Sequence, residues 1–349
     1  MNTEYLIIGQ GLAGSLIAWQ LQQQGKDYFI IDNASANAAS RVGAGLITPI
    51  TGKRLVKSPD LKLFLSAAKP CYEHIEQCLG EVFFHDRPML RLLQSQQETE
   101  QYELRASDSK YQPYIDSDKQ CLNSDHISLT SHGGFCMKEG AYLDSGALID
   151  KLGNYFMSKG AFRHEHIDYN DIKLDSKQAH YKEITADNVI FCEGHAAINN
   201  PWFSWLPFAL TKGEIIDCHI ETPIPDTILH SGKWILPIDE KTVRCGATFD
   251  WTNLDLQPSI EAREQLSLAF EKILPNTSIA IIDQQVGIRS GTRDRQPFIG
   301  IHPEFRQLSI FNGFGSKGAL LIPFYSVLFS KILSGQSTSI HKVDIARYL

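Results

Sequence analysis

Apolar residues fall in short blocks along this chain, and the first blocks predict a strand, a helix and a second strand. Tyr5-Leu6-Ile7-Ile8 is an apolar run of strand length that passes directly into Gly9-Gln10-Gly11-Leu12-Ala13-Gly14. A helical segment follows from Ser15 to Gln24 and stops at Gly25. A second apolar run, Tyr28 to Ile31, ends in Asp32. Between 59 and 80, Leu61, Phe64, Leu65, Ala68, Tyr72, Ile75 and Leu79 form one apolar helical face, and Pro70 inside it predicts a kink or a break. Gln94 to Ser124 is polar and predicts a helix with exposed loops. Gly140 to Asp144 leads into a helix through Phe156, with a strand after Gly160. Lys182 to Ile190 predicts two short strands ending in Phe191-Cys192-Glu193-Gly194. Farther on, Gly213 to Ile220, Trp234 to Pro237 and Thr242 to Phe249 predict strands, interrupted by a helix from Ser259 to Leu274.

This order predicts an α/β chain, α+β overall, in which a Rossmann-type unit is joined to an antiparallel sheet. The dinucleotide-binding domain is expected to be discontinuous, built from 1–55, 140–204 and 288–349. A second domain, 56–139 and 205–287, would carry the substrate, with the ligand between the two. The chemistry begins in the first block, a G-x-G-x-x-G between a strand and a helix with an acid 18 residues after the last glycine. Gly9 makes the tight turn, Gly11 lets backbone N–H groups approach a pyrophosphate, and Gly14 lets helix and strand pack closely. The N–H groups at the helix start, at Leu12 and Ala13, favour negative charge. Asp32 would accept from a ribose hydroxyl and repel a 2′-phosphate; as a plain turn residue it would do neither.

Composition narrows the class. A net charge of −7 over 349 residues argues against a general nucleic-acid binder, although Lys53, Arg54 and Lys57 form a small basic cluster. The longest late apolar run, Ala319 to Phe329, contains Pro323 and falls short of the about 20 residues that span a bilayer. With the first strand at residue 5, no signal peptide is expected. Seven cysteines without C-x-x-C spacing predict reduced thiols and a cytoplasmic protein, with Cys71 and Cys78 packed in a helix. Twelve histidines show no metal pattern, so no metal is expected, and His164 and His166 are assigned to the surface.

Four further segments act together. They are Ala39 to Pro49, Ala186 to Gly194, Gly287 to Gly300 and Gly313 to Pro323. In order and spacing the chain resembles the D-amino-acid-oxidase-like superfamily of FAD-dependent oxidoreductases, and its glycine oxidase members most closely. The resemblance implies bound FAD, a two-domain fold and oxidation of an amine or amino acid with release of peroxide. It places Ser40, Arg41, Gly43, Ala44, Gly45 and Leu46 beside the flavin, where small residues let the backbone pass close. It ends a sheet strand at Gly194, where a side chain would strike the cofactor. It points the helix that starts in Gly313, Gly315, Ser316, Lys317, Gly318 and Ala319 at the flavin. It gives Arg289 the substrate carboxylate, a bidentate task suited to a guanidinium fork; the alternative is an ion pair with Asp294. Arg293 and Arg295 are expected at the surface. Trp234 would close the substrate pocket or simply fill core.

Departures from the pattern carry information too. A second arginine anchor in the late loop is Ser316 here, and the pocket aromatic is Trp234 rather than tyrosine, which implies a larger or N-substituted amine. Arg244 aligns with a lysine that sarcosine-type members hold over the flavin to activate oxygen; an exposed strand arginine is its alternative. No cysteine lies near Gly313 to Gly318, so FAD is expected to be non-covalent. The flavin would take hydride at N5 from the substrate α-carbon, and the imine would hydrolyse. The alternatives are a flavin dehydrogenase passing electrons to a quinone or carrier protein, and a tRNA wobble-uridine-modifying oxidase.

Overall fold

The computed structural model describes residues 1–116, 127, 132–336, 340 and 342–349. The end of the polar stretch predicted from Gln94 to Ser124, from residue 117 on, lies outside the described residues.

The predicted strand–turn–helix–strand start forms as Asn2–Ile8, Leu12–Gln23 and Tyr28–Asp32. The two strands are parallel, with Tyr5 opposite Tyr28 and Ile8 opposite Ile31. Phe162–His164 adds outside Tyr28–Asp32, and Ile184–Phe191 pairs in parallel on the other side of Asn2–Ile8. Leu308–Asn312 then runs parallel to the second half of Ile184–Phe191. These strands are near-continuous apolar runs because both sheet faces are buried. The helices Leu12–Gln23, Ser145–Ser158, Leu61–Leu79 and Gly318–Leu333 pack one face through Leu16, Trp19, Leu152, Phe156 and Phe329.

The second sheet is almost wholly antiparallel. Its backbone is a pair of long strands, Phe208–Ile220 and Ile279–Thr292. Thr242–Gly246, Lys233–Pro237 and Ile228–Ser231 follow, and Met89–Leu92 joins in parallel with Ile228–Ser231. The helix Ile260–Ile273, capped by the Ser259 hydroxyl, covers one face with Leu266 and Phe270. The other face turns toward the carboxyl ends of the parallel strands.

Four predictions are corrected. Lys182 to Ile190 is not two strands: Ile184–Phe191 is one, preceded by the hairpin Ile172–Leu174 and Ala179–Tyr181. The polar pair Asp187-Asn188 suggests a break, but Asp187 is exposed and Asn188 is buried on a regular strand. Pro70 does not divide its helix, which runs unbroken from Leu61 to Leu79. Pro70 and Ser66 both face solvent, so water satisfies the carbonyl that proline leaves unpaired. The strand from Thr242 ends at Gly246, short of Phe249. Cys136 is disulfide-bonded rather than reduced, whereas Cys71, Cys78, Cys192, Cys218 and Cys245 are free. Among the described residues, no helix is long and apolar enough to cross a membrane.

One glycine sets how the first helix meets the sheet. A Cβ on Gly14 would lie 1.8 Å from the Gly9 carbonyl oxygen, so the helix backbone rests directly on the turn. Gly14→Ala is expected to destabilise the protein by about 3 kcal/mol, because neither backbone can yield. Gly160→Ala meets nothing within 4 Å and carries only the strain of φ +69°, about 1 kcal/mol. Urea midpoints of the two variants check the contrast, and equal shifts would refute it.

Candidate functional site

The carboxyl ends of the parallel strands open into a cavity of about 920 Å³ that reaches the antiparallel sheet. Ligands of open α/β sheets bind at this edge. At one end lies Asp32, and at the other Trp234 and Arg289. Of the residues named from the sequence, Gly9, Gly11, Leu12, Ala13, Ser40 and Arg41 line the first part. Gly43, Ala44, Gly45, Leu46, Gly194, Gly315, Ser316, Gly318 and Ala319 line the cavity as well.

At the Asp32 end, Gly9 takes φ +101° as the turn requires. The helix Leu12–Gln23 has neither a side-chain cap nor an acid in its first turn. At its start the Leu12 N–H donates to Ser40 Oγ at 3.3 Å. Asp32 accepts from the Gln10 N–H at 2.7 Å and the Ala34 N–H at 2.5 Å. The carboxylate therefore braces both turns at this edge, and each oxygen keeps a lone pair for a ligand. Gly194 has φ +57°, and a Cβ there would meet nothing within 4 Å, since the position faces the cavity. The helix Gly318–Leu333 also lacks a side-chain cap and a first-turn acid. Among the described residues, Ser290 Oγ, buried in the wall, has no hydrogen-bond partner.

Several expected site residues have other work. Gly14 serves packing. Gly313 has φ +81° and its Cβ would strike Thr292 Cγ2 at 2.8 Å, so it fixes the loop without lining the cavity. Gly45 lines the cavity, yet its missing Cβ is needed by the Leu143 carbonyl, 2.0 Å from where it would stand. Arg41 pairs with Asp150. Lys317 does not line the cavity and donates to Ser58 Oγ at 3.3 Å. Arg244 is the largest correction. Asp217 on the neighbouring strand holds its guanidinium bidentately, at 2.7 and 2.9 Å, outside the cavity wall.

Arg289 is different. Asp294, its expected competitor, is taken by Arg347 at 2.8 Å. Among the described residues Arg289 has no ion-pair partner, and its Nη1 donates only to the Thr248 carbonyl at 3.2 Å. Burial pulls its guanidinium down to about 10, so it still carries its charge at neutral pH. Gly213 makes room beneath it: a Cβ there would sit 2.2 Å from Nη2. Phe249 covers it from the other side, with Cζ 4.6 Å from the ring centroid. Trp234 stands in the wall nearby, half-buried, against Gly246, where a Cβ would come within 2.5 Å of the indole. Among the described residues, no group of three or more acids, cysteines or histidines could hold a metal.

Gly213, Phe249 and Ser290 escape sequence reasoning because their relevance depends on strands that meet only in the fold. Glu193 could have been noticed, as an acid closing an apolar strand. It lines the cavity and accepts from Tyr169 Oη at 2.6 Å and Asn200 Nδ2 at 2.8 Å. Burial holds its carboxyl up to about 7, outweighing both hydrogen bonds. Between pH about 4.5 and 7 the unfolded chain therefore releases a proton that the folded chain keeps, and stability falls by about 3 kcal/mol as pH rises. Glu193→Gln is expected to flatten that slope. Denaturant midpoints at pH 5 and 7.5 test this; an unchanged slope would assign it to other groups.

The chain is similar to known proteins in sequence and in fold. The glycine oxidase of Bacillus subtilis (strain 168) is 21% identical, over 96% of this chain and 94% of that protein. The glycine oxidase of Pseudomonas aeruginosa is 26% identical, in a match spanning 47% of this chain and 46% of that one. The tRNA 5-methylaminomethyl-2-thiouridine biosynthesis bifunctional protein MnmC of Marinobacter nauticus is 22% identical over 91% of this chain, which spans about half of that protein, 53%. The glycine oxidase structure from Geobacillus kaustophilus has the same fold, with a TM-score of 0.84 at 18% identity, covering 100% of this chain and 99% of that one. The family model for FAD dependent oxidoreductases, DAO, matches residues 4–331. The chain thus belongs to the DAO family of FAD-dependent oxidoreductases.

Proposed function

We propose that this protein oxidises the C–N bond of an amino acid or another carboxylate-bearing amine, with oxygen as acceptor and peroxide as product. The observation that carries the reading is Arg289: a half-buried cation in the cavity wall with no acid to neutralise it among the described residues. A buried charge without a partner is costly, and an anionic ligand relieves that cost. A carboxylate fits the free edge of the guanidinium fork.

The residues present suit FAD. Two uncapped helix N-termini, at Gly11 and Lys317, point into one cavity, Gly194 leaves room, and the Ser290 hydroxyl awaits a partner. Gly11, Leu12 and Ala13 would hold the pyrophosphate, Asp32 the adenosine ribose, and Ser40 to Leu46 with Gly315 to Ala319 the flavin. With no cysteine between Gly313 and Gly318, we assign non-covalent binding. The segments 1–55, 140–204 and 288–349 hold the cofactor and 56–139 with 205–287 the substrate, the strand Ile279–Thr292 being shared between them. Bound flavin supplies the two-electron acceptor. Arg289 fixes the carboxylate, Trp234 limits the space about the α-carbon, and the apolar wall excludes water. The substrate leaves as an imine that water converts to a keto acid and ammonia.

A second reading rests on the MnmC match, under which the amine is borne by a modified tRNA base. Lys53 and Arg54 are exposed and Lys57 half-buried, the last over the Tyr114 ring at 5.4 Å. Peroxide release in air on free amino acids, against turnover only with carboxymethylaminomethyl-modified tRNA, separates the two. Turnover of amino acids with a quinone but not with oxygen would replace the acceptor.

Arg289→Lys keeps the charge but loses the fork. It is expected to lower kcat/KM for carboxylate substrates by about 2–4 kcal/mol, with FAD content unchanged. Loss of flavin or of folded protein in this variant would make Arg289 structural. Asp32→Ala is expected to weaken FAD binding on the order of tenfold, read by titrating the apoprotein. Unchanged affinity would leave Asp32 as a turn brace alone.

A further inference from the structure

Phe249 lines the cavity at its Arg289 end and Trp251 packs against it from outside the lining, two large aromatic rings that are 52% and 67% exposed. Their centroids are 6.2 Å apart and their planes 22° from parallel. Scattered exposed apolar residues need no explanation, but a stacked pair beside a ligand cavity does.

This pair sits on an anchored segment. Asp250, between the two aromatics, exchanges both backbone hydrogen bonds with Lys212, at 2.8 and 3.0 Å. Lys212 is itself buried and reaches on to Asp255 Oδ1 at 2.6 Å and the Gln257 carbonyl at 2.7 Å. The Asp250 carboxylate gathers the N–H groups of Thr252 and Asn253. Asp250 opens a turn immediately after Phe249, and that turn brings the Trp251 ring against the Phe249 ring. The Phe249 ring is shared by two cations, the Arg289 guanidinium at 4.6 Å and Lys233 Nζ at 5.7 Å, so the outer face of Trp251 and the exposed edge of Phe249 are what a ligand meets. Leu256, on the same anchored segment, lines the cavity beside it.

We propose that Phe249 and Trp251 form a side-chain subsite, and that the amine this enzyme prefers carries an aromatic group stacked there while its carboxylate sits on Arg289. The inference rests on the carboxylate reading of Arg289. Flat rings are favoured over branched chains because stacking uses the open ring faces, and rings already fixed by the loop lose little freedom on binding. The partner chemistry is set by adjacency: a cation for the carboxylate, and aromatic faces for the group one or two bonds away.

The experiment compares matched amines on the FAD-loaded enzyme. Phenylalanine is paired with alanine, each as both enantiomers, and N-benzylglycine with N-methylglycine. The aromatic member of at least one pair is expected to have the higher kcat/KM. Trp251→Ala, at an exposed position that folding does not depend on, is expected to lower the aromatic-to-aliphatic ratio on the order of tenfold, chiefly through KM. As a binding readout, phenylacetate is expected to compete more strongly than acetate in the wild type, with the gap narrowed in Trp251→Ala. If small amino acids are oxidised as well as aromatic ones and Trp251→Ala moves neither ratio, the subsite is overturned while the Arg289 reading stands. If no carboxylate-bearing amine is turned over and neither acid competes, the Arg289 reading fails and the subsite falls with it.

Discussion

The contact between Gly14 and the Gly9 carbonyl is the constraint on which the cavity depends. Two backbones meet there at a distance no side chain allows. The first helix is thereby seated at the carboxyl end of the central strand, with its unpaired N–H groups at the mouth of the sheet. Asp32 then ties the adjacent turns together through Gln10 and Ala34. The far wall follows from the same edge, since Ile184–Phe191 and Leu308–Asn312 end beside it and deliver Gly194 and the Gly313 loop.

Electrically the cavity has two unlike ends. Near Tyr169 an acid is held protonated into the neutral range by burial, while at Trp234 a guanidinium keeps its charge without an acid. The second state is possible because Asp294, five residues from Arg289, is bound by Arg347. Gly213 and Phe249 both pack against the guanidinium, and among the described residues no ion pair orients it.

What could be read from the sequence was local. The glycine turn, the helix after it and Asp32 lie within one contiguous segment, and their spacing alone specifies the geometry. Arg289 was legible through the segment around it. Arg244 was not, because Asp217, which claims it, lies on another strand and registers with it only once Phe208–Ile220 and Thr242–Gly246 pair. Gly45 and Gly313 were read as room for a cofactor, whereas Leu143 and Thr292 require those glycines. Pro70 was read as a kink or a break, and no break occurs, because the carbonyl it leaves unpaired, on Ser66, lies at an exposed position that the sequence does not reveal.

The strands Phe208–Ile220 and Ile279–Thr292 run without interruption from the outer sheet to the parallel one. At the inner end, Phe208 meets the Phe298 ring at 4.9 Å and Ile288 bridges to Ala38. Such a pair acts as a beam clamped at its inner end, with one register shift at Asp217 and Cys218 farther out. It resists hinge bending between the two halves of the molecule, so access to the interior falls to the lighter parts at its margin. Rotation of rim side chains is the faster motion open to such a frame, since rotamer exchange outpaces rigid-body closure.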